Sequence, residues 1–233
     1  MTPGEYTNSC FAKIQFARLL GNFSDVTVID VGKSANLDTP VYKGTYKGTP
    51  FGLILSEVGA PACVGMFEEV FAKGAEALVL YGNCGVLDAS IRDCAVILPT
   101  AAVRDEGTSY HYAAPSEEIE LNERYGALFE ALLKEKGISY HKGKTWTTDA
   151  FYRETAAKMA RRRAQGCITV DMEASAIAAM ARFRGKDVLH FFYAADNLAT
   201  EEWDQRSLSG HEKMEEKDQV GLLAIEAALR ISE

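Results

Sequence analysis

With 233 residues, 47% of them hydrophobic, the chain is large enough to bury the core of one compact α/β domain. Its net charge of −8 and its longest basic run, the triplet Arg161-Arg162-Arg163, leave no concentrated cationic face, which argues against nucleic acid as a partner. No apolar run nears the roughly 18 residues of a bilayer span, and MTPGEYTNSC lacks a basic-then-apolar leader pattern, so neither a membrane segment nor a signal peptide is expected.

Cysteine and histidine usage narrows the class further. The five cysteines (Cys10, Cys63, Cys84, Cys94, Cys167) have no CxxC spacing, and the four histidines form no HxH or HxxxH pair. This predicts reduced thiols in a cytoplasmic small-molecule protein without a zinc site.

In chain order, 26–32 predicts a short strand. Residues 40–61 predict a hairpin turning at Lys47-Gly48, with a buried return strand through Leu55. The doubled YKGT is too short to be an architectural repeat. A helix opens at Pro61, with Val64, Phe67, Val70 and Phe71 on one face, and stops at Gly74. Residues 76–85 predict a buried strand ending in a glycine-flanked turn. The apolar run 94–103 follows, then a polar loop over 104–116 and a helix over 117–136 that stops at Gly137. A strand over 138–149, a helix over 150–166, a strand over 167–171 and a helix over 173–184 come next. A strand over 187–194 and a helix from around 207 complete the chain. Strands alternating with helices predict a single α/β domain spanning 1–233, with a central, mainly parallel twisted sheet covered on both faces.

Ligands in such folds collect at the carboxyl ends of strands. Four ends stand out: Glu57-Val58-Gly59-Ala60-Pro61, Gly82-Asn83-Cys84-Gly85, Asp171-Met172-Glu173 and Ala194-Ala195-Asp196-Asn197. Asp171 can be an N-cap or a ligand group. Glu173 precedes an all-small helix face, Ala174, Ala176, Ala178 and Ala179. Its carboxylate can accept two hydrogen bonds from a vicinal diol, with Met172 offering an apolar surface to a sugar. Asp196 is either a turn aspartate or a general acid in a closed apolar pocket. Cys84 could be a packed thiol or a nucleophile with His111 as base, although no helix clearly follows GNCG as a nucleophile elbow requires.

The motifs YKGTYKG, VGAP, YGNCGVL, AVRDEGTSYHY, TTDAFY, VDMEASA and AADN occur in one order between Val41 and Leu198. On these the chain resembles the nucleoside phosphorylase/nucleosidase superfamily, which includes purine nucleoside phosphorylase, uridine phosphorylase and methylthioadenosine nucleosidase. The resemblance implies that Glu173 holds the ribose hydroxyls over Met172, with Asp171 beside them. It implies that Phe151 stacks on the base with Tyr152 next to it, and that Asn83, Cys84 and Gly85 meet the base. Asp196 matches the aspartate that protonates a purine at N7. Thr155 and Ala157 stand where uracil-specific members carry Gln and Arg, so a purine is favoured.

Phosphate as co-substrate is implied, with no cofactor, and Gly59, Gly82, Asn83 and Arg104 are its candidate ligands. A homo-oligomer (dimer, trimer or hexamer) is implied as well. Three departures bear on the nucleophile. The chain lacks a PGDP-like loop near its start, Leu80 replaces an arginine, and Asn83 replaces a phosphate-contacting Ser/Thr. Either Arg104 or a neighbouring subunit's Lys33 supplies the positive charge, or water attacks instead. Phosphorolysis, hydrolysis, uridine phosphorolysis, a Cys84 hydrolase and a non-catalytic purine-binding protein are the readings the structure has to separate.

Overall fold

The computed structural model describes residues 6–34, 37–200, 202–208 and 211–233; residues 1–5, on which part of the leader expectation rests, lie outside them. The elements run β1 (Tyr6–Cys10), α1 (Lys13–Leu20), β2 (Ser24–Lys33), β3 (Asp38–Tyr46), β4 (Thr49–Leu55), α2 (Ala60–Ala72), β5 (Ala77–Val86) and β6 (Val96–Asp105). They continue with β7 (Glu118–Glu120), α3 (Gly126–Glu135), β8 (Tyr140–Thr148), α4 (Ala156–Ala164), β9 (Cys167–Asp171), α5 (Ala174–Arg184), β10 (Asp187–Asn197) and α6 (Met214–Ser232). Short 3-10 turns lie at Thr108–His111 and Phe151–Arg153.

β5 organises the sheet. On one edge it pairs in parallel with β10 over its whole length; on the other it pairs first with β1, as far as Tyr81, and then with β9 from Gly85. Five strands, β5, β10, β6, β8 and β9, therefore close on themselves as a small barrel, while β1, β4, β3 and β2 extend from β5 as an open wing. The architecture is a single α/β domain built on a mixed sheet.

Strand alternation sorts the core. Ala77, Val79 and Tyr81 of β5 pack with α1, α3 and α6, whereas Leu78 and Leu80 pack with α2 and α5. Phe191 lies between Tyr81 (ring centroids 5.8 Å apart) and Phe129 (4.5 Å). Truncating such a buried aromatic costs about 3–5 kcal/mol.

Several boundaries differ from the sequence expectations. The helix predicted over 117–136 begins only at Gly126, because Glu118–Glu120 pair with β6 instead. Asn122, at φ 59°, then turns the chain, donating to the carbonyls of Pro99 and His190 and accepting from the His190 N–H. The helix predicted over 150–166 is split: a 3-10 turn comes first, and α4 starts after Thr155, whose hydroxyl accepts from Lys158 N–H at 3.4 Å. The C-terminal helix begins at Met214. The predicted polar loop 104–116 instead opens with the end of β6 and contains the 3-10 turn Thr108–His111.

GNCG is not a turn but the distal part of β5. Between the end of β1 at Tyr81 and the arrival of β9 at Gly85, the edge of β5 opposite β10 has no strand partner among the described residues. That gap, rather than a turn, lets backbone groups of this segment meet a ligand.

Candidate active site

The junction of β9 and α5 is fixed by Asp171. Its Oδ1 accepts from the N–H groups of Glu173 and Ala174, both at 2.9 Å. Its Oδ2 accepts from the hydroxyls of Thr145 (2.9 Å) and Thr147 (3.3 Å). With four protein donors on two oxygens, Asp171 is a helix-start acceptor rather than a ligand group. The candidate role of Asp171 on the substrate is corrected accordingly: it positions Glu173.

Glu173 is 7% exposed, and its Oε1 accepts from the Gly59 N–H at 2.6 Å. Gly59 can present that N–H because its φ of 93° suits a residue without a Cβ. The Gly59 amide is thus engaged by a carboxylate, which weighs against Gly59 as an anion ligand. Burial, reinforced by the negative charge of Asp171, pushes the Glu173 carboxyl up to about 8. Asp171 also rises through burial, opposed by its four hydrogen bonds. Met172 lies between the two acids and is partly exposed.

Asp196 enters from β10, just past a bulge after Ala194 that brings it into register with Gly85. Its Oδ2 accepts from the Trp203 indole N–H at 2.8 Å. A Cβ on Gly85 would stand 3.3 Å from Asp196 Oδ1 and 2.4 Å from Leu198, so the glycine makes room for the acid. Burial raises the Asp196 carboxyl, and the indole hydrogen bond partly offsets this.

Glu154 is a residue the sequence did not mark. It ends the 3-10 turn that carries Phe151 and Tyr152, is half-buried, and is pushed up to about 7, first by burial and then by the charge of Asp196. Phe151 is 50% exposed and packs against Tyr152 with the rings tilted at 40°, 4.2 Å between centroids; Tyr152 is 90% exposed and forms no wall in this chain.

Along the GNCG segment the Asn83 side chain is exposed, whereas Cys84 is buried and donates to the Tyr193 carbonyl at 3.6 Å. Burial drives the Cys84 thiol well above its ordinary range, and no hydrogen bond joins it to the exposed His111 among the described residues. A thiolate nucleophile is therefore not built here. Gly82 lies under the Phe11 ring, which a Cβ would approach to 2.6 Å. Phe11 directly follows β1.

Arg104 is corrected as a phosphate ligand. The residue is 5% exposed, and its guanidinium donates to Ser109 Oγ (2.9 Å), Ala114 O (2.7 Å) and Ser116 Oγ (2.8 Å) and lies over the Tyr110 ring at 4.0 Å. Ser109 N–H and Ser175 Oγ in turn donate to Glu106, which ties this loop to the start of α5. Arg104 thus braces the site from behind. Lys33 lines a cavity of about 400 Å³ with Ser34, Thr39, Glu57 and Pro61, on the outer side of the Gly59 loop. No cluster of three His, Cys, Asp or Glu side chains arranged for a metal occurs among the described residues.

Known proteins are similar to this chain in sequence and in fold. The chain is 28% identical over 152 residues to guanosine phosphorylase of Halorubrum lacusprofundi, covering 64% of this chain and 62% of that protein. It is 35% identical over 117 residues to uridine phosphorylase of Thermococcus kodakarensis, covering 48% of this chain and 40% of the relative. In structure it is similar to purine nucleoside phosphorylase from Toxoplasma gondii in complex with immucillin-H, with a TM-score of 0.83, 18% identity, and 99% and 93% coverage. Uridine phosphorylase from Vibrio fischeri gives a TM-score of 0.80 at 22% identity, covering 100% and 92%. These two likenesses establish the fold. A sequence model of the phosphorylase superfamily matches residues 14–232, and the chain belongs to that superfamily.

Proposed function

We propose that this chain cleaves the N-glycosidic bond of a purine nucleoside by phosphorolysis, releasing the free base and ribose 1-phosphate. The observation that carries the reading is a pair of acids: buried Glu173, anchored by Gly59 and Asp171, and half-buried Asp196, seated against Gly85. The name of the haloarchaeal relative, guanosine phosphorylase, supports phosphorolysis and a purine.

In this reading the ribose hydroxyls donate to Glu173, which releases its proton to bulk water as the diol binds. The C1′–N9 bond lengthens toward a ribosyl cation, and the electron pair moves onto the base, whose N7 takes the proton of Asp196. A phosphate oxygen then bonds to C1′. Positioning and electrostatic stabilisation supply most of the rate. Phosphate is the only co-substrate and no cofactor takes part. Residues 1–233 act as one cytoplasmic domain in a homo-oligomer, in which a neighbour's Lys33 adds positive charge near the attacking anion.

A specific observation favours a second reading, in which water attacks. Phe11 covers Gly82, Leu80 is fully buried, and Arg104 is committed to its loop, so none of these positions brings a side-chain cation to the gap in β5. A nucleoside panel incubated with and without phosphate decides. Ribose 1-phosphate formed only with phosphate supports phosphorolysis, free ribose at an equal rate in both supports hydrolysis, and turnover of neither purines nor uridine overturns both.

A further inference from the structure

Asp196 does not stand alone at the end of β10. The Trp203 indole N–H donates to its Oδ2 at 2.8 Å, and more than that bond holds the indole in place. Asn197, next to the acid, and Asp204, next to the indole, exchange two backbone hydrogen bonds. The Asn197 N–H donates to Asp204 O at 2.8 Å, and the Asp204 N–H to Asn197 O at 3.1 Å. One arm of this clamp is tied to β5, where the Leu198 N–H donates to Val86 O at 2.9 Å. The other is tied through Arg206, which donates to Ile91 O at 2.9 Å, and Ser207, which donates to Asp93 at 2.7 Å. Acid and indole are thus fixed to one another across a closed backbone clamp. The Trp203 ring is 58% exposed, so burial of apolar area does not explain its place.

The chemistry of the pair distinguishes the two oxygens of Asp196. An indole N–H donates and never accepts. The carbonyl oxygen of a neutral carboxyl is its better acceptor, so a bond to Oδ2 leaves the acidic proton on Oδ1. That oxygen lies beside Gly85, 3.3 Å from where a Cβ on this residue would stand. Once the proton has gone, the same N–H meets a full carboxylate, and hydrogen bonds to charged acceptors are the stronger kind. Resting on the acid role of Asp196 in the reading above, we propose that Trp203 is a positioning residue. It keeps the proton of Asp196 on Oδ1 and stabilises the carboxylate that remains. In the step itself the O–H bond at Oδ1 breaks as the N7–H bond forms, and its electron pair stays on Asp196. Trp203 acts through the acid.

The test is a double-mutant cycle on Trp203→Phe and Asp196→Asn. It is read as kcat and KM, with phosphate present, for a nitrophenyl riboside and for inosine or guanosine, whichever is turned over faster. Phenylalanine keeps a ring and removes the donor. Trp203→Phe should lower kcat for the purine nucleoside by about 10–10²-fold, the worth of one hydrogen bond to a charged group. Its KM should stay within about threefold of wild type, since no substrate contact is removed. The nitrophenyl riboside, whose leaving group needs no proton, should lose far less. In the Asp196→Asn background the same substitution should change purine nucleoside cleavage by less than about twofold, because no proton remains to be placed. Equal losses on both substrates, additive losses in the double variant, or wild-type kcat in Trp203→Phe overturn the role of Trp203 and leave Asp196 as the acid. Full purine nucleoside cleavage by Asp196→Asn, or turnover of neither purine nucleoside by the wild type, removes the acid role and this proposal together.

Discussion

The proposed ribose end and the proposed base end of the site are built in opposite ways. At the ribose end, Asp171 is saturated by four donors and Glu173 is pinned to the Gly59 amide within a buried junction of β9, β8 and α5. At the base end, among the described residues, Asp196 accepts from the Trp203 indole and Glu154 from no side chain, and Phe151 is half exposed. Every ribonucleoside presents the same 2′,3′-diol, so a rigid, pre-organised acceptor suits it. Bases differ, and a less saturated surface lets their own hydrogen bonds complete the site. The contrast agrees with a superfamily whose relatives here carry guanosine and uridine in their names.

The sharpest way to break this contrast is at Asp196. Asp196→Asn should lower purine nucleoside cleavage by about 10²–10⁴-fold while keeping base binding, because an amide has no proton to deliver to N7. A nitrophenyl riboside, whose leaving group needs no proton, should lose far less. Equal loss on both substrates in a steady-state assay would reduce Asp196 to a turn residue.

Glu173→Gln tests the rigid end and should cost roughly 10²-fold in kcat/KM. Retained activity would mean that Glu173 only marks a helix start. The same variant sharpens the electrostatics. In the folded chain Glu173 keeps its proton up to about 8, whereas an ordinary glutamate releases it near 4.5. Between those values the folded state binds more protons than the unfolded chain, so stability should fall as pH rises. Thermal melts of the wild type from pH 5 to 8.5 should show a decline that is shallower in Glu173→Gln; identical slopes would place the titration elsewhere.

Thr145→Val probes the support beneath. It leaves Asp171 one donor short and should lower stability by about 1–2 kcal/mol in denaturant titrations, with a smaller loss of activity. Tyr152→Ala should do least, within about threefold of wild type in the same assay, because surface positions seldom carry energy. A large loss there would mean that a neighbouring subunit covers the ring.

Much of this frame is legible in the chain, and what is not has physical causes. The apolar strand over 77–81 announces itself through an unbroken hydrophobic run, and the one over 187–194 through a mostly apolar run interrupted by His190. β1 does not: its Thr7, Asn8 and Ser9 are fully buried polar residues in an interior strand, where composition suggests a loop. Glu118–Glu120 look like a helical start, and only pairing with β6 makes them a strand. Glu173 and Asp196 could be picked out because each ends an apolar strand. Glu154 follows FYR in a polar stretch, and tertiary folding alone brings it to Asp196. Arg104 misled for the converse reason, since its charge is visible in sequence but its loop carbonyls are not.

The closed ring of strands also fixes when the site can exist. β5 finds its long partner, β10, more than a hundred residues later, and β10 is the last strand to leave a ribosome. Until then the Gly82–Val86 segment has its β10-facing edge open, and Asp196 has not yet been synthesised. Such a high contact order makes closure a late and comparatively slow step. A nascent chain stalled before residue 187 would therefore expose an unpaired, strongly apolar edge. A chaperone that shields β5 during translation would protect the base end and the fold at once.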